Sequence, residues 1–168
     1  MFRFPAALGL LLASFIPLLA ADPEPKEFAS KEGKYKATFP AKVETKETKG
    51  KDGKLTTYAA TAQPKPGSVY TVSYFDFDKD IPEKLSKDFL AAIAGGIKGK
   101  AVSDKEVTFG KDKLPAREAV YELPKVFLRQ LIILDGRRVY QVIVAGPNQD
   151  TVTSKDADKF VESFQITK

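Results

Sequence analysis

Phe127-Leu-Arg-Gln-Leu-Ile-Ile-Leu-Asp-Gly-Arg-Arg-Val-Tyr-Gln-Val-Ile-Val-Ala-Gly146 decides the fold. Two runs of β-branched and aromatic residues flank Asp135-Gly136, a strong short-range signal for a β-hairpin. With Asp135 and Gly136 as the two turn residues, Gln130 faces Gln141, Leu131 faces Tyr140 and Arg129 faces Val142. One side of the hairpin carries Leu128, Ile132, Val139 and Ile143. The other carries Phe127, Leu131, Ile133, Tyr140, Val142 and Val144. Both sides are mostly apolar, which predicts a position in mid-sheet with cover on both faces.

Working outward, Ala41 to Thr48 and Leu55 to Gln63 flank a second turn signal, Lys51-Asp52-Gly53-Lys54. Here Val43, Thr45 and Glu47 oppose Ala62, Ala60 and Tyr58. Only one face is modestly apolar, so this hairpin is expected near a sheet edge. Residues 34–39 alternate as a strand that Pro40 ends, and Gln63 to Gly67 reads as a turn. Ser68 to Asp76 alternates strongly. A helix is expected next, with Asp80 as N-cap, Pro82 and Glu83 in its first turn, and an apolar stripe of Leu85, Phe89, Ala92, Ile93 and Ile97. Gly95-Gly96 or Gly99 ends it. Ala101 to Gly110 and Leu114 to Leu123 read as strands. After Gly146-Pro147, Thr153 or Ser154 caps a last helix whose Ala157, Phe160, Val161 and Phe164 follow a core-facing spacing.

Residues 1–21 have the layout of a cleavable signal peptide: Arg3, the apolar run Ala6 to Leu19, small residues Ala20 and Ala21, then a proline-rich polar exit. An uncleaved anchor needs roughly 20 apolar residues, more than this run supplies. Residues 22–33 read as a linker in which Phe28 tucks against the core, and 34–168 as one α/β domain. The chain is expected to be exported, to the periplasm or the extracellular space, with no membrane span once the signal is removed. It is also expected to be a monomer.

These elements predict an α+β domain: an antiparallel sheet of about six to eight strands with a helix on each face, an α/β/α sandwich. Their order, with Gly33-Lys-Tyr-Lys-Ala-Thr-Phe-Pro40, Tyr70-Thr-Val-Ser-Tyr-Phe-Asp76, Arg138-Val-Tyr140 and Phe160-Val-Glu-Ser-Phe164, resembles the PsbP-like superfamily, named for an extrinsic subunit of photosystem II. A Ran-binding protein family shares that fold. The resemblance implies an exported bacterial protein acting as an accessory or binding subunit rather than an enzyme, and assigns no residue a role.

The chain has no His and no Cys. Imidazole acid–base catalysis, thiol nucleophiles, disulfides and the usual zinc or copper sites are thereby excluded. Neither a Gly-x-Ser-x-Gly elbow nor a Ser-x-x-Lys dyad is present. Gly95-Gly-Ile-Lys-Gly99 sits at a helix end and suits helix termination, not phosphate binding. Asp76, Asp78 and Asp80 copy the opening of an EF-hand loop. Ile81 and Lys87, however, stand where calcium coordination wants Gly and Glu, so neither metal nor cofactor is expected.

The net charge of +5 is mild, and its lysines are interleaved with acids. Solubility and protection of strand edges account for them, and nucleic acid is not an expected partner. Arg129, Arg138 and Tyr140 project from one face of the central hairpin and are the candidate binding residues. Their arginines suit a partner or anionic ligand. The alternative is that Tyr140 and the arginine stems pack under the last helix. The function expected is a non-catalytic exported domain that binds a protein or cell-envelope component. A small-molecule or lipid carrier with a cleft between sheet and helix is the alternative. A hydrolase using carboxylates alone stands behind both.

Overall fold

The computed structural model describes residues 24–50 and 53–167. The expected signal peptide, residues 1–21, lies outside the described residues, as do Lys51 and Asp52 of the second hairpin's turn. The strands are β1 (Lys26–Ser30), β2 (Tyr35–Phe39), β3 (Val43–Lys49), β4 (Thr56–Lys65), β5 (Ser68–Asp76), β6 (Lys100–Phe109), β7 (Leu114–Leu123), β8 (Val126–Asp135), β9 (Arg138–Gly146) and β10 (Gln165–Ile166). The helices are α1 (Ser86–Ala94), α2 (Gln149–Val152) and α3 (Lys155–Ser163), with a 3₁₀ turn at Glu83–Leu85 before α1. A seven-stranded antiparallel sheet runs β3-β4-β5-β9-β8-β7-β6, and a small sheet runs β1-β2-β10.

The central hairpin, β8 and β9, lies inside the large sheet, as its apolar faces predict. Its register differs from the expectation by two residues. Gly136 and Arg137 form the turn, with Asp135 paired to Arg138, Leu131 to Val142 and Ile133 to Tyr140. Gly136 has φ +61° and takes the first central position, where a type II′ turn wants glycine. Asp135 is thereby left in the ladder. Side chains alternate with period two, so an even shift leaves both faces intact. Val139 joins Phe75, Ile132 and Leu134 in one buried cluster, while Tyr140, Val142 and Val144 join Leu131 and Ile133 in another.

The shift does separate the two glutamines. Gln130 pairs with Ile143 and Gln141 with Ile132, so the amides are diagonal neighbours rather than opposite one another. Both are buried, and neither Gln130 Oε1 nor Gln141 Nε2 meets a hydrogen-bond partner among the described residues. A buried acceptor without a partner costs about 1–3 kcal/mol. Gln130→Met, which nearly conserves volume, is therefore expected to stabilise the protein, by less than about 1.5 kcal/mol. Urea unfolding midpoints check this, and a clear loss of stability would mean that the amide is bonded.

The second hairpin has the expected register, Val43 opposite Ala62 and Glu47 opposite Tyr58, and β3 forms the sheet edge. β4 continues through Pro64 to Lys65 instead of turning at Gln63, and its ladder with β5 shifts between Ala62 and Lys65. Proline has no N–H to donate, which accounts for the irregularity there.

Two expectations for the N-terminal part are corrected. The expected linker, 22–33, contains β1, which pairs along its length with β2. β2 in turn leaves the large sheet, and β10 pairs with its other edge. Phe28 does pack on the core, against Tyr35 and Phe39. Local alternation shows that a segment is a strand, but partners distant in the chain choose its sheet.

The first helix is also corrected. Asp80 does not cap it: Pro82 precedes the 3₁₀ turn, Leu85 precedes α1, and neither start has a side-chain cap. The 3₁₀ turn delays the 3.6-residue phase until Ser86. Ser86, Phe89, Leu90 and Ala94 are consequently buried, while Leu85 is 44% exposed and Ala92 lies outside. Gly95 ends the helix, as expected. Asp80 instead lies beside the hairpin turn, its Oδ1 3.1 Å from where a Cβ on Gly136 would stand.

The last helix follows its sequence closely. Ser154 caps α3 by accepting from the Ala157 N–H at 3.2 Å. Ala157, Phe160, Val161 and Phe164 are all buried. The preceding turn, α2, capped by Asn148, and the strand β10 were not anticipated. No helix among the described residues is long and apolar enough to cross a membrane.

Candidate binding surfaces

The three hairpin candidates are not brought to one place. Arg129 pairs with Val144 and Arg138 with Asp135, at opposite ends of the ladder. Six residue steps along β9 separate Val144 from Arg138, roughly 20 Å. Arg129 ties three elements together: it donates to Glu118 on β7 at 2.9 Å and to Asp158 on α3 at 2.6 Å. Arg138 donates to both carboxylate oxygens of Asp76 on β5, at 2.6 and 2.7 Å, and to the Glu32 carbonyl at 2.9 Å. Tyr140 is buried, and its hydroxyl donates to the Gly33 carbonyl at 2.8 Å. Arg138 and Tyr140 thus pin the β1–β2 turn onto the large sheet.

This environment shifts the ionisable groups in ways its contacts explain. Hydrogen bonding from Arg138 holds the Asp76 carboxyl below the usual carboxylate range, and Asp76 in turn raises Arg138. Burial pushes the Tyr74 and Tyr140 phenols up, opposed by the nearby Arg138 charge. The Arg138 guanidinium lies over the Tyr74 ring, 4.8 Å from its centroid. Tyr58, from the strand on the other side of β5, stacks on Tyr74 with centroids 5.0 Å apart and planes 15° apart. Of the aspartate triplet, Asp76 is occupied by Arg138 and Asp80 faces the hairpin turn. Among the described residues no cluster of acids is arranged to hold a metal ion.

Two surface concavities stand out among the described residues. The larger, about 880 Å³, lies between α1 and the β6–β7 edge. Leu90 and Pro115 contribute its apolar side chains, whereas Val107 and Ala116 border it through the backbone, their side chains turned to the α3 side of the sheet. Charged residues line it too: Glu83, Lys84 and Lys87 from the helical side, with Glu106, Lys113 and Arg117 opposite. Lys87 pairs with Glu106 at 2.8 Å, and Arg117 with Asp104 at 2.7 Å. Lys84 and Lys113 make no ion pair among the described residues. The smaller, about 300 Å³, is a cleft between the small sheet and the β3–β4 hairpin, lined by Phe28, Tyr35, Tyr58 and Tyr74 among polar and small residues. Neither surface stood out in the sequence, because each joins residues distant in the chain. The one available signal was the pairing of Glu47 with Tyr58.

The arrangement of strands and helices defines a PsbP-like fold. The solution structure of cyanobacterial PsbP (CyanoP) from Synechocystis sp. PCC 6803 is similar to this chain, with a TM-score of 0.56 over 92% of this chain and 98% of that one. The identity is 10%, so the likeness is one of fold. No protein-family model matches the chain, and no curated protein matches its sequence.

Proposed function

We propose that this protein is a non-catalytic exported domain that binds a protein or cell-envelope component through the groove between α1 and the β6–β7 edge. The observation that carries the reading is the groove's composition. Leu90 and Pro115 are set among charges of both signs, a mixture of apolar and charged groups of the kind that protein interfaces carry. Lys84 and Lys113 are available to meet acidic groups on a partner. The reading treats the molecule as an α/β/α sandwich in which α1 and α3 cover opposite faces, so that the groove is the open margin beside α1. The carrier alternative calls for a deep apolar pocket, and the charged lining here favours a protein surface instead. The hydrolase alternative calls for two free carboxylates in the groove, where Glu106 is instead paired with Lys87 and leaves Glu83 alone.

The test is retention from an envelope extract of the host by the immobilised protein and by a Lys84→Glu, Lys113→Glu double variant. A component retained by the wild type and lost by the variant is the expected result. Equal retention by both would remove the groove from the function, and no retention by either would overturn the binding role.

A further inference from the structure

We propose that the smaller cleft is a binding site for an alkylammonium group, independent of the groove. Phe28, Tyr35, Tyr58 and Tyr74 line it, with the half-buried rings of Phe28 and Tyr58 open to a ligand and the buried Tyr35 and Tyr74 behind them, and the carboxylates Glu32 and Glu47 stand at it. Aromatic faces attract cations through their quadrupole, and more strongly once the cation is desolvated. The protein already uses this chemistry next door, where the Arg138 guanidinium sits over Tyr74. Tyr58 stacks on Tyr74 from the other side, through the strand order β4-β5-β9, and is itself only half-buried.

Charge favours the same ligand. Glu32 and Glu47 are exposed and make no ion pair among the described residues. On a chain with a net charge of +5 this is a local negative site. Glu47 lies directly opposite Tyr58 in the β3–β4 ladder, so its carboxylate and the ring share one face of the sheet. Lys46 also borders the cleft, but strand alternation directs its side chain to the opposite face. A volume of about 300 Å³ suits a small head group or one side chain and is at the lower end for ligand pockets.

The test compares choline with 3,3-dimethylbutan-1-ol, its neutral isostere, by titrating the purified protein and following the Tyr58 ring resonances by NMR. A third arm uses Nα-acetyl-lysine amide and distinguishes a free quaternary amine from a lysine side chain of a partner. Saturable shifts are expected with at least one of the two cations and not with the neutral isostere. Tyr58→Leu should weaken that binding about tenfold, as loss of a cation–π contact does. Glu47→Gln, a surface change, should weaken it several-fold and retain the wild-type fold by circular dichroism. Equal response to choline and its isostere, no response to either cation, or unchanged affinity in Glu47→Gln would each overturn the proposal.

Discussion

Phe160→Ala is expected to lower the stability of the protein by about 3–5 kcal/mol, the usual cost of emptying an aromatic site in a closed core. Phe160 is only 2% exposed and packs edge-on against both Phe39 of β2 and Tyr70 of β5. The ring therefore joins the small sheet, the large sheet and α3, and no neighbour can relax into the space without moving another layer. Phe164→Ala should cost a similar amount, because its ring meets Tyr35, Tyr140 and Phe109. Urea unfolding followed by circular dichroism measures both. A loss below about 1 kcal/mol would mean that α3 is peripheral to the core.

Asp76→Asn should be the other large effect, about 1.5–3 kcal/mol at neutral pH, the range for hydrogen bonds to charged groups. The pair is partly open, with side-chain exposures of 18% for Arg138 and 32% for Asp76, so solvent screening moderates its ionic part. Its pH dependence follows from the lowered Asp76 pKa, whose first cause is the hydrogen bond from Arg138. The folded state binds the Asp76 proton less readily than the unfolded chain. The contribution is thus fully present above the ordinary aspartate value near about 4 and is lost as pH falls through the lowered folded value. Arg138 stays charged throughout, since its own pKa is raised. The wild type should therefore lose stability more steeply than Asp76→Asn below about pH 4. Parallel acid limbs for the two proteins would show that Asp76 does not titrate with folding.

Which residues share a face was legible in the sequence, because side-chain alternation does not depend on what lies beside a strand. Leu131, Ile133, Tyr140 and Val142 could be placed together before their partners were known, and so could Ala157, Phe160 and Val161 on the last helix. Arg129, Arg138 and Tyr140 lie on one face, as alternation along the hairpin predicts. Their separation along that face was not legible, since a pattern that repeats every two residues says nothing about distance. Nor were their occupants, because Asp76, Glu118 and Asp158 lie on other strands or on a helix.

The strands of the large sheet, the register of the edge hairpin, the core face of the last helix and the lack of imidazole and thiol chemistry could all be read from the chain alone. These depend on turn residues, periodicity and composition, which act over a few residues. Folding alone puts β1, β2 and β10 in a second sheet, starts the first helix at Ser86, selects Ser154 over Thr153 as the cap of α3, and sets Tyr58, Tyr74 and Arg138 side by side. The physical reason is that each of these rests on contacts between segments far apart in the chain. Their free energy appears only when the layers close, and no local preference carries it.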